Sequence, residues 1–282
     1  MTVPTITLND QTTIPQFGVG VWQVPAEDTE RVVSDALEIG YRHVDTAQMY
    51  ANEAGVGAAL KSSGLSREDV YVTTKLNNGN HLPEDARRSL RESLDRLGLD
   101  RVDLFLIHWP LPTQYDGDYT ATWQALIDLQ AEGLTTSIGV SNFQPAHLDT
   151  IVSATGVVPA VNQIEVHPYF TNDAAREASL RHGAQVEGWS PLGQGGGELE
   201  DPVVAALAEK YGKTPAQVIL RWHLDRGDIV FPKSVRRERL AENFDVFDFA
   251  LGADEVATLT ALDKGESGRT GPDPDTFDYI PR

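Results

Sequence analysis

Along this chain, polar side chains stand again and again at the ends of short apolar runs. Val44 leads into Asp45, Val70-Tyr71-Val72 into Lys75, and Val102–Ile107 into His108. Ile138-Gly139-Val140 leads into Ser141 and Asn142, and Val161 into Asn162 and Gln163. Val186 leads into Trp189 and Ser190, and Ile229-Val230-Phe231 into Lys233 and Ser234. A helix-like stretch follows each run. Strict alternation of strand and helix implies a parallel sheet. Polar groups gathered at the C-terminal ends of parallel strands describe the active face of a (β/α)8 barrel. The 282 residues suit one such barrel, of ~250 residues, with additions. An open doubly wound sheet would usually carry a glycine fingerprint after its first strand. No GxGxxG occurs, and Gly193-Gln194-Gly195-Gly196-Gly197 reads as a flexible loop.

The expected fold class is therefore α/β: a TIM barrel with an N-terminal hairpin, an extra helix and a C-terminal loop. Residues 5–8 and 12–15 alternate around Asn9-Asp10-Gln11, the pattern of a hairpin. A first barrel strand is expected over 17–21. Helical periodicity appears at Val32, Val33, Ala36 and Leu37, and Pro83 opens a helix with Leu90, Leu94 and Leu97 on one face. The last barrel helix is expected over 237–244 and an additional one over 254–262. No internal repeat or linker divides residues 1–282, so one domain is expected. Residues 266–282 are rich in Gly, Pro and Asp and read as a loop or lid over one barrel face.

Composition removes several kinds of chemistry. The chain has no cysteine, hence no disulfide, thiolate nucleophile or cysteine-bound metal. MTVPTITLND lacks the basic and apolar regions of a secretory signal, and no apolar run approaches the ~20 residues that span a bilayer. A cytoplasmic enzyme is expected. A formal net charge of −19 disfavours nucleic acid and anionic membranes as partners. It would repel an anionic cofactor too, unless a local cluster reverses the sign.

Asp45, Tyr50, Lys75 and His108 make sense together. Any one of them could serve a structural ion pair; four at one barrel mouth suggest a proton donor. Free tyrosine, with a pKa of ~10, is a poor acid at neutral pH. An ammonium such as Lys75 favours phenolate and is expected to make Tyr50 more acidic. Asp45 would hold that lysine charged, and His108 would direct a carbonyl oxygen toward the phenol. Such an apparatus reduces C=O to CH–OH. The hydride must come from a cofactor, because no side chain supplies one.

Gly40-Tyr41-Arg42-His43-Val44-Asp45-Thr46-Ala47, then Tyr50, Asn52-Glu53 and Val56-Gly57, resembles the first signature of the aldo-keto reductases. Lys75, His108-Trp109-Pro110, Gly139-Val140-Ser141-Asn142-Phe143, Asn162-Gln163-Ile164-Glu165 and Pro232-Lys233-Ser234 follow in that family's order over roughly residues 3–265. Pro191-Leu192-Gly193-Gln194-Gly195 and the run from Phe231 to Leu240 look most like the bacterial 2,5-diketo-D-gluconate reductase branch.

The resemblance implies NADPH bound across the barrel mouth. It makes Tyr50 the acid, with Asp45 and Lys75 tuning it and His108 orienting substrate. Ser141, Asn142 and Gln163 would hold the nicotinamide carboxamide, and Trp189 would stack on the ring rather than serve as a core aromatic. Ser190, Leu192 and Gln194 fall where the pyrophosphate loop would be. Lys233, Ser234, Val235, Arg236 and Arg239 form the basic cluster that the charge argument demands, and forked guanidinium groups suit a 2′-phosphate. Glu242 and Asn243 would meet the adenine.

Some positions depart from the family's usual pattern. Asn77 stands where tryptophan is common, Gln48 and Met49 replace small or aliphatic residues, and Thr136 replaces a basic one. Asn77, Gln48 and Met49 would line the substrate pocket, with Trp22, Trp109, Phe277 and Tyr279 as apolar walls. The branch implies 2,5-diketo-D-gluconate or a related keto-sugar acid as substrate. The alternative is a general aldehyde- or methylglyoxal-detoxifying reductase. A metal-dependent hydrolase using Asp45, His108 and Glu165 is a different enzyme class. A non-enzymatic cofactor-sensing subunit ranks lowest, since no membrane-partner segment is visible. A monomer acting on small molecules, with no metal, is expected.

Overall fold

The computed structural model describes residues 3–281. Two short antiparallel strands, β1 (Thr5–Thr7) and β2 (Thr13–Pro15), form the hairpin. Eight parallel strands follow: β3 (Val19–Gly20), β4 (His43–Asp45), β5 (Tyr71–Leu76), β6 (Val102–Ile107), β7 (Thr135–Ser141), β8 (Val161–Glu165), β9 (Gln185–Trp189) and β10 (Ile229–Val230). They pair in chain order, each with the next. Ten helices connect or follow them: α1 (Ala26–Ile39), α2 (Glu53–Ser62), α3 (Pro83–Leu97), α4 (Thr120–Ala131), α5 (Pro145–Thr155), α6 (Asp173–His182), α7 (Pro202–Tyr211), α8 (Pro215–Asp225), α9 (Arg237–Phe244) and α10 (Ala253–Thr260).

The first and last strands meet and close the barrel. Phe17 bridges Val230 in parallel, the Gly18 N–H donates to the Val230 carbonyl at 2.8 Å, and the Val230 N–H donates to the Gln16 carbonyl at 3.1 Å. Glycine is required at this seam. A Cβ on Gly20 would lie 2.7 Å from the Phe231 carbonyl oxygen, and one on Gly18 would lie 2.8 Å from the His43 ring. Regular pairing of β3 therefore spans only two residues, shorter than the apolar pattern over 17–21 suggested.

Period-two alternation sorts the strand residues onto two faces. Val44, Val72, Phe105, Ile107, Ile138 and Val140 pack outward against the buried faces of the helices, including Leu90, Leu94 and Leu97 of α3. Burial of each such side chain stabilises the fold by roughly 1.5–3 kcal/mol. The inward residues divide by height. At the N-terminal end of the barrel, Leu104, Leu106, Val161 and Ile229 form an apolar floor that Leu8 and Ile14 of the hairpin cover. Toward the C-terminal end the inward positions carry Asp45, Lys75 and Gln163, with Glu187 at mid-strand in register with Ile229, all buried. The floor gives rigidity, and the polar groups collect at the other end.

Candidate active site

Tyr50 reaches the barrel mouth on a single helical turn, Gln48–Tyr50, that follows β4. Asn52 braces this turn. Its side-chain N–H groups donate to the carbonyls of Val21 (2.8 Å) and Val24 (3.2 Å), and its carbonyl accepts from the Thr46 hydroxyl at 2.9 Å. Lys75, at the end of β5, is wholly buried. Its ammonium donates to Asp45 Oδ1 at 2.7 Å, to the Thr46 carbonyl at 2.9 Å and to the Tyr50 hydroxyl at 3.4 Å. The His108 ring stands edge-on to Tyr50, with centroids 5.7 Å apart. The structure thus brings Asp45, Tyr50, Lys75 and His108 into one cluster.

The electrostatics depart from the sequence expectation at Tyr50. Burial is the largest influence and raises its pKa; Lys75 pulls it down, yet the net position is above the ordinary value. The phenol therefore keeps its proton through neutral pH. Burial also works against the Lys75 charge, but Asp45 and Tyr50 outweigh it and hold the ammonium protonated. Burial pushes His108 well below the ordinary imidazole value, and Lys75 adds to the effect, so the ring is neutral.

A second set of side chains adjoins this cluster. Gln163 Nε2 donates to Asp45 Oδ2 and to Glu187 Oε2, both at 2.9 Å. The Ser141 hydroxyl donates to the Gln163 carbonyl at 2.8 Å. Asn142, in the left-handed region at φ 65°, donates to the His108 carbonyl at 2.9 Å and accepts from the Trp189 indole at 2.8 Å. The three expected carboxamide-binding residues and Trp189 are therefore neighbours. Glu187 was not anticipated, although Gln185-Val186-Glu187-Gly188-Trp189 puts it two residues before Trp189 and so on the same strand face.

Around the rim, Leu192, Leu199, Thr214, Pro215, Ala216, Lys233, Ser234, Arg239, Glu242 and Asn243 enclose a cleft of about 230 Å³. Among the described residues Lys233, Arg236 and Arg239 make no ion pair with an acid, in a chain of net charge −19. Arg237, in the same run, is tied to Asp35 and Glu38 and faces away from that role. Val235 packs partly buried against the core. Glu242 accepts from the Thr214 hydroxyl at 2.8 Å, so its carboxylate is already engaged. Ser190 and Gln194 both take positive φ in the loop after β9, and Leu192 lies between them, partly buried.

The positions expected to line the substrate pocket differ in what they do. Gln48 turns its carbonyl oxygen to the Asn77 N–H and the Asn80 side chain, both at 3.2 Å, and to the Ser89 hydroxyl. Asn77 accepts from the Gly79 N–H at 3.1 Å and so caps its own turn. Each amide thus engages its oxygen locally, Gln48 with one backbone and two side-chain donors and Asn77 with one backbone donor. Met49 is half-buried, and Trp22 is 43% exposed. Trp109 meets Phe277 of the tail at a centroid distance of 4.2 Å, and Phe277 in turn lies 6.3 Å from Tyr279. The Asn78 side chain donates to the Tyr279 carbonyl at 2.9 Å.

Glu165 belongs to this tail arrangement. It accepts from the N–H groups of Thr270 (2.7 Å) and Gly271 (2.9 Å), and also bonds His167 at 3.0 Å. Gly271 lies so close to Trp189 that a Cβ there would be 2.4 Å from the indole. Among the described residues no group of three or more His, Asp or Glu side chains is arranged to hold a metal ion, so Asp45, His108 and Glu165 do not converge as a hydrolase centre would require.

A parallel eight-stranded barrel with this cluster at its mouth defines a class, and the similarities agree. A profile described as Aldo/keto reductase family matches residues 14–264. The chain belongs to that family. It is 50% identical to an aldo-keto reductase of Mycolicibacterium smegmatis over 98% of both chains. It is 49% identical to methylglyoxal reductase DkgA of Escherichia coli, over 96% of this chain and 97% of that one. Among solved structures, a mutant of Gox0644 in complex with NADPH superposes with a TM-score of 0.94 at 46% identity, covering 99% of this chain and 100% of that one.

Proposed function

We propose that this aldo-keto reductase uses NADPH to reduce small aldehydes or ketones, with Tyr50 as the proton donor. The carrying observation is the buried Lys75 ammonium, bonded at once to Asp45 and to the Tyr50 hydroxyl. The residues fit the dinucleotide: three rim cations lack acidic partners among the described residues, and Gln163, Asn142 and Ser141 stand together beside Trp189. Lys233, Ser234 and Arg239 would hold the 2′-phosphate, Asn243 the adenine, and Gln163 and Asn142 the carboxamide. NADPH, when bound, supplies the hydride.

The chain's own residues do the rest. Neutral His108 orients the carbonyl oxygen toward Tyr50. Tyr50 transfers its proton to the developing alkoxide, and Lys75 lowers the cost of the phenolate left behind. Asp45 keeps Lys75 charged throughout. The tail, carrying Phe277 and Tyr279 beside Trp109, serves as a lid over the substrate. We read the enzyme as cytoplasmic and monomeric, acting on small carbonyl compounds.

The name of the Escherichia coli relative favours 2-ketoaldehydes such as methylglyoxal over keto-sugar acids. Consumption of NADPH and of NADH, followed by absorbance with methylglyoxal, 2,5-diketo-D-gluconate and simple aldehydes, tests the reading. The expected result is turnover with NADPH and a higher kcat/KM for methylglyoxal. No carbonyl-dependent oxidation of either cofactor would overturn it.

A further inference from the structure

Glu187 is a barrel-interior carboxyl group that the reaction above leaves without a part. It is wholly buried on β9. Both N–H bonds of the Gln163 amide are directed to carboxyl groups, one to Asp45 and one to Glu187. Ionised Asp45 can only accept, which fixes the nitrogen end of Gln163, and Glu187 takes the second N–H. The amide oxygen remains as the end that can accept from a ligand.

Charge counting gives the state of Glu187. It faces Asp45 on β4, Lys75 and Tyr71 on β5, and Gln163 on β8; its register partner on β10 is Ile229, which is apolar. His43, two residues before Asp45, is neutral, because burial holds it at about 3. Lys75 and Asp45 balance one another. A second carboxylate sharing one amide with Asp45 would leave an excess negative charge among buried groups. Two such carboxyl groups do not both ionise readily. Burial is the larger influence on Glu187 and Asp45 adds to it, pushing its pKa up to about 8.

We propose that Glu187 is a positioning residue for carbonyl reduction: as a neutral acid it locks Gln163 against Asp45, and on ionising it slows proton donation by Tyr50. The inference rests on the reading of Tyr50 as proton donor. The sign follows from Coulomb's law. A new negative charge beside Asp45 raises the proton affinity of Lys75 and of Tyr50, so the phenol gives its proton less readily. Reduction should therefore fall as the pH rises through the titration of Glu187.

Two variants separate shape from charge. Glu187→Gln keeps an oxygen for Gln163 but cannot ionise, and Glu187→Leu removes both. The full-length protein is compared by difference infrared spectroscopy, by kcat against pH and by NADPH titration. The wild type should show a buried carboxylic-acid C=O band below pH 8 that Glu187→Gln lacks. The alkaline limb of kcat should move up by about one pH unit or more in Glu187→Gln. Glu187→Leu should lose about tenfold in kcat at neutral pH, the upper range for one lost hydrogen bond, and Glu187→Gln should restore it. An unchanged pH profile in Glu187→Gln, or an acid band that survives in it, would overturn the proposal. Wild-type kcat in a folded Glu187→Leu would do the same. Should Glu187→Leu not fold, the band and the pH profile of Glu187→Gln decide alone. A Tyr50→Phe variant that retains activity would instead refute the reading of Tyr50, while the infrared band still reports Glu187.

Discussion

At the Asp45 end of the barrel mouth, Lys75, Gln163 and Asn142 are each bonded to other groups of the fold; at the Arg239 end, Lys233, Arg236 and Arg239 form no ion pair among the described residues. The first end is closed off from water and the second is open to it. Burial makes each charge costly unless it is matched, so the inner end is a network in which position decides everything. The outer end works through unmatched charge, which tolerates looser placement. Chemistry belongs to the first and affinity to the second.

The contrast can be broken most sharply at Lys75. Lys75→Met leaves Asp45 buried without its cation, and the expected loss of stability is about 3–5 kcal/mol. Urea unfolding at neutral pH measures it, and a near-neutral effect would mean that the pair is not the keystone of the inner end. Next comes Tyr50→Phe, which keeps the ring but removes the proton. Turnover should fall at least ~10²-fold with NADPH affinity almost unchanged. Steady-state kinetics and fluorescence titration give both quantities.

The outer end should answer in the opposite sense. Lys233→Met combined with Arg239→Met is expected to weaken NADPH by more than about tenfold, NADH much less, and to leave kcat at saturation intact. Titration with both cofactors checks it, and equal weakening would show that these cations do not read the 2′-phosphate. The smallest effect is expected at Asn77. Its amide caps the Gly79 turn, and Ile280 of the tail lies beside Gly79. Asn77→Trp should shift KM for small aldehydes by roughly tenfold or less. Kinetics over a graded series of carbonyl sizes would show it as a change in rank order.

Much of the inner end was legible because three of its residues close apolar strands: Asp45 after Val44, Lys75 after Val72, His108 after Ile107. Strand order followed from alternation alone. Burial was not legible in the same way. Spacing placed Lys75 near Tyr50 and implied a more acidic phenol, but the cost of ionising it inside the barrel is the larger effect. Glu187 escaped notice because a lone acid in a five-residue strand looks like a solvated one until the barrel closes around it. The local partners of the Gln48 and Asn77 amide oxygens were not legible either, because sequence cannot rank nearby backbone and side-chain donors. The Gly, Pro and Asp content of the tail reads as a loop, yet its attachment through Glu165 joins residues more than 100 positions apart.

The three hydrogens of the Lys75 ammonium all point at oxygen: Asp45, Thr46 and Tyr50. A free lysine amine condenses with carbonyl compounds to form an imine. An enzyme that gathers reactive aldehydes beside a lysine therefore risks being consumed by them. Here the nitrogen has no lone pair to offer, and Asp45 and Tyr50 keep it that way. The same three bonds that prepare a proton transfer make the lysine inert toward its own substrate. Selectivity for reduction over adduct formation is thus written into the direction of three N–H bonds.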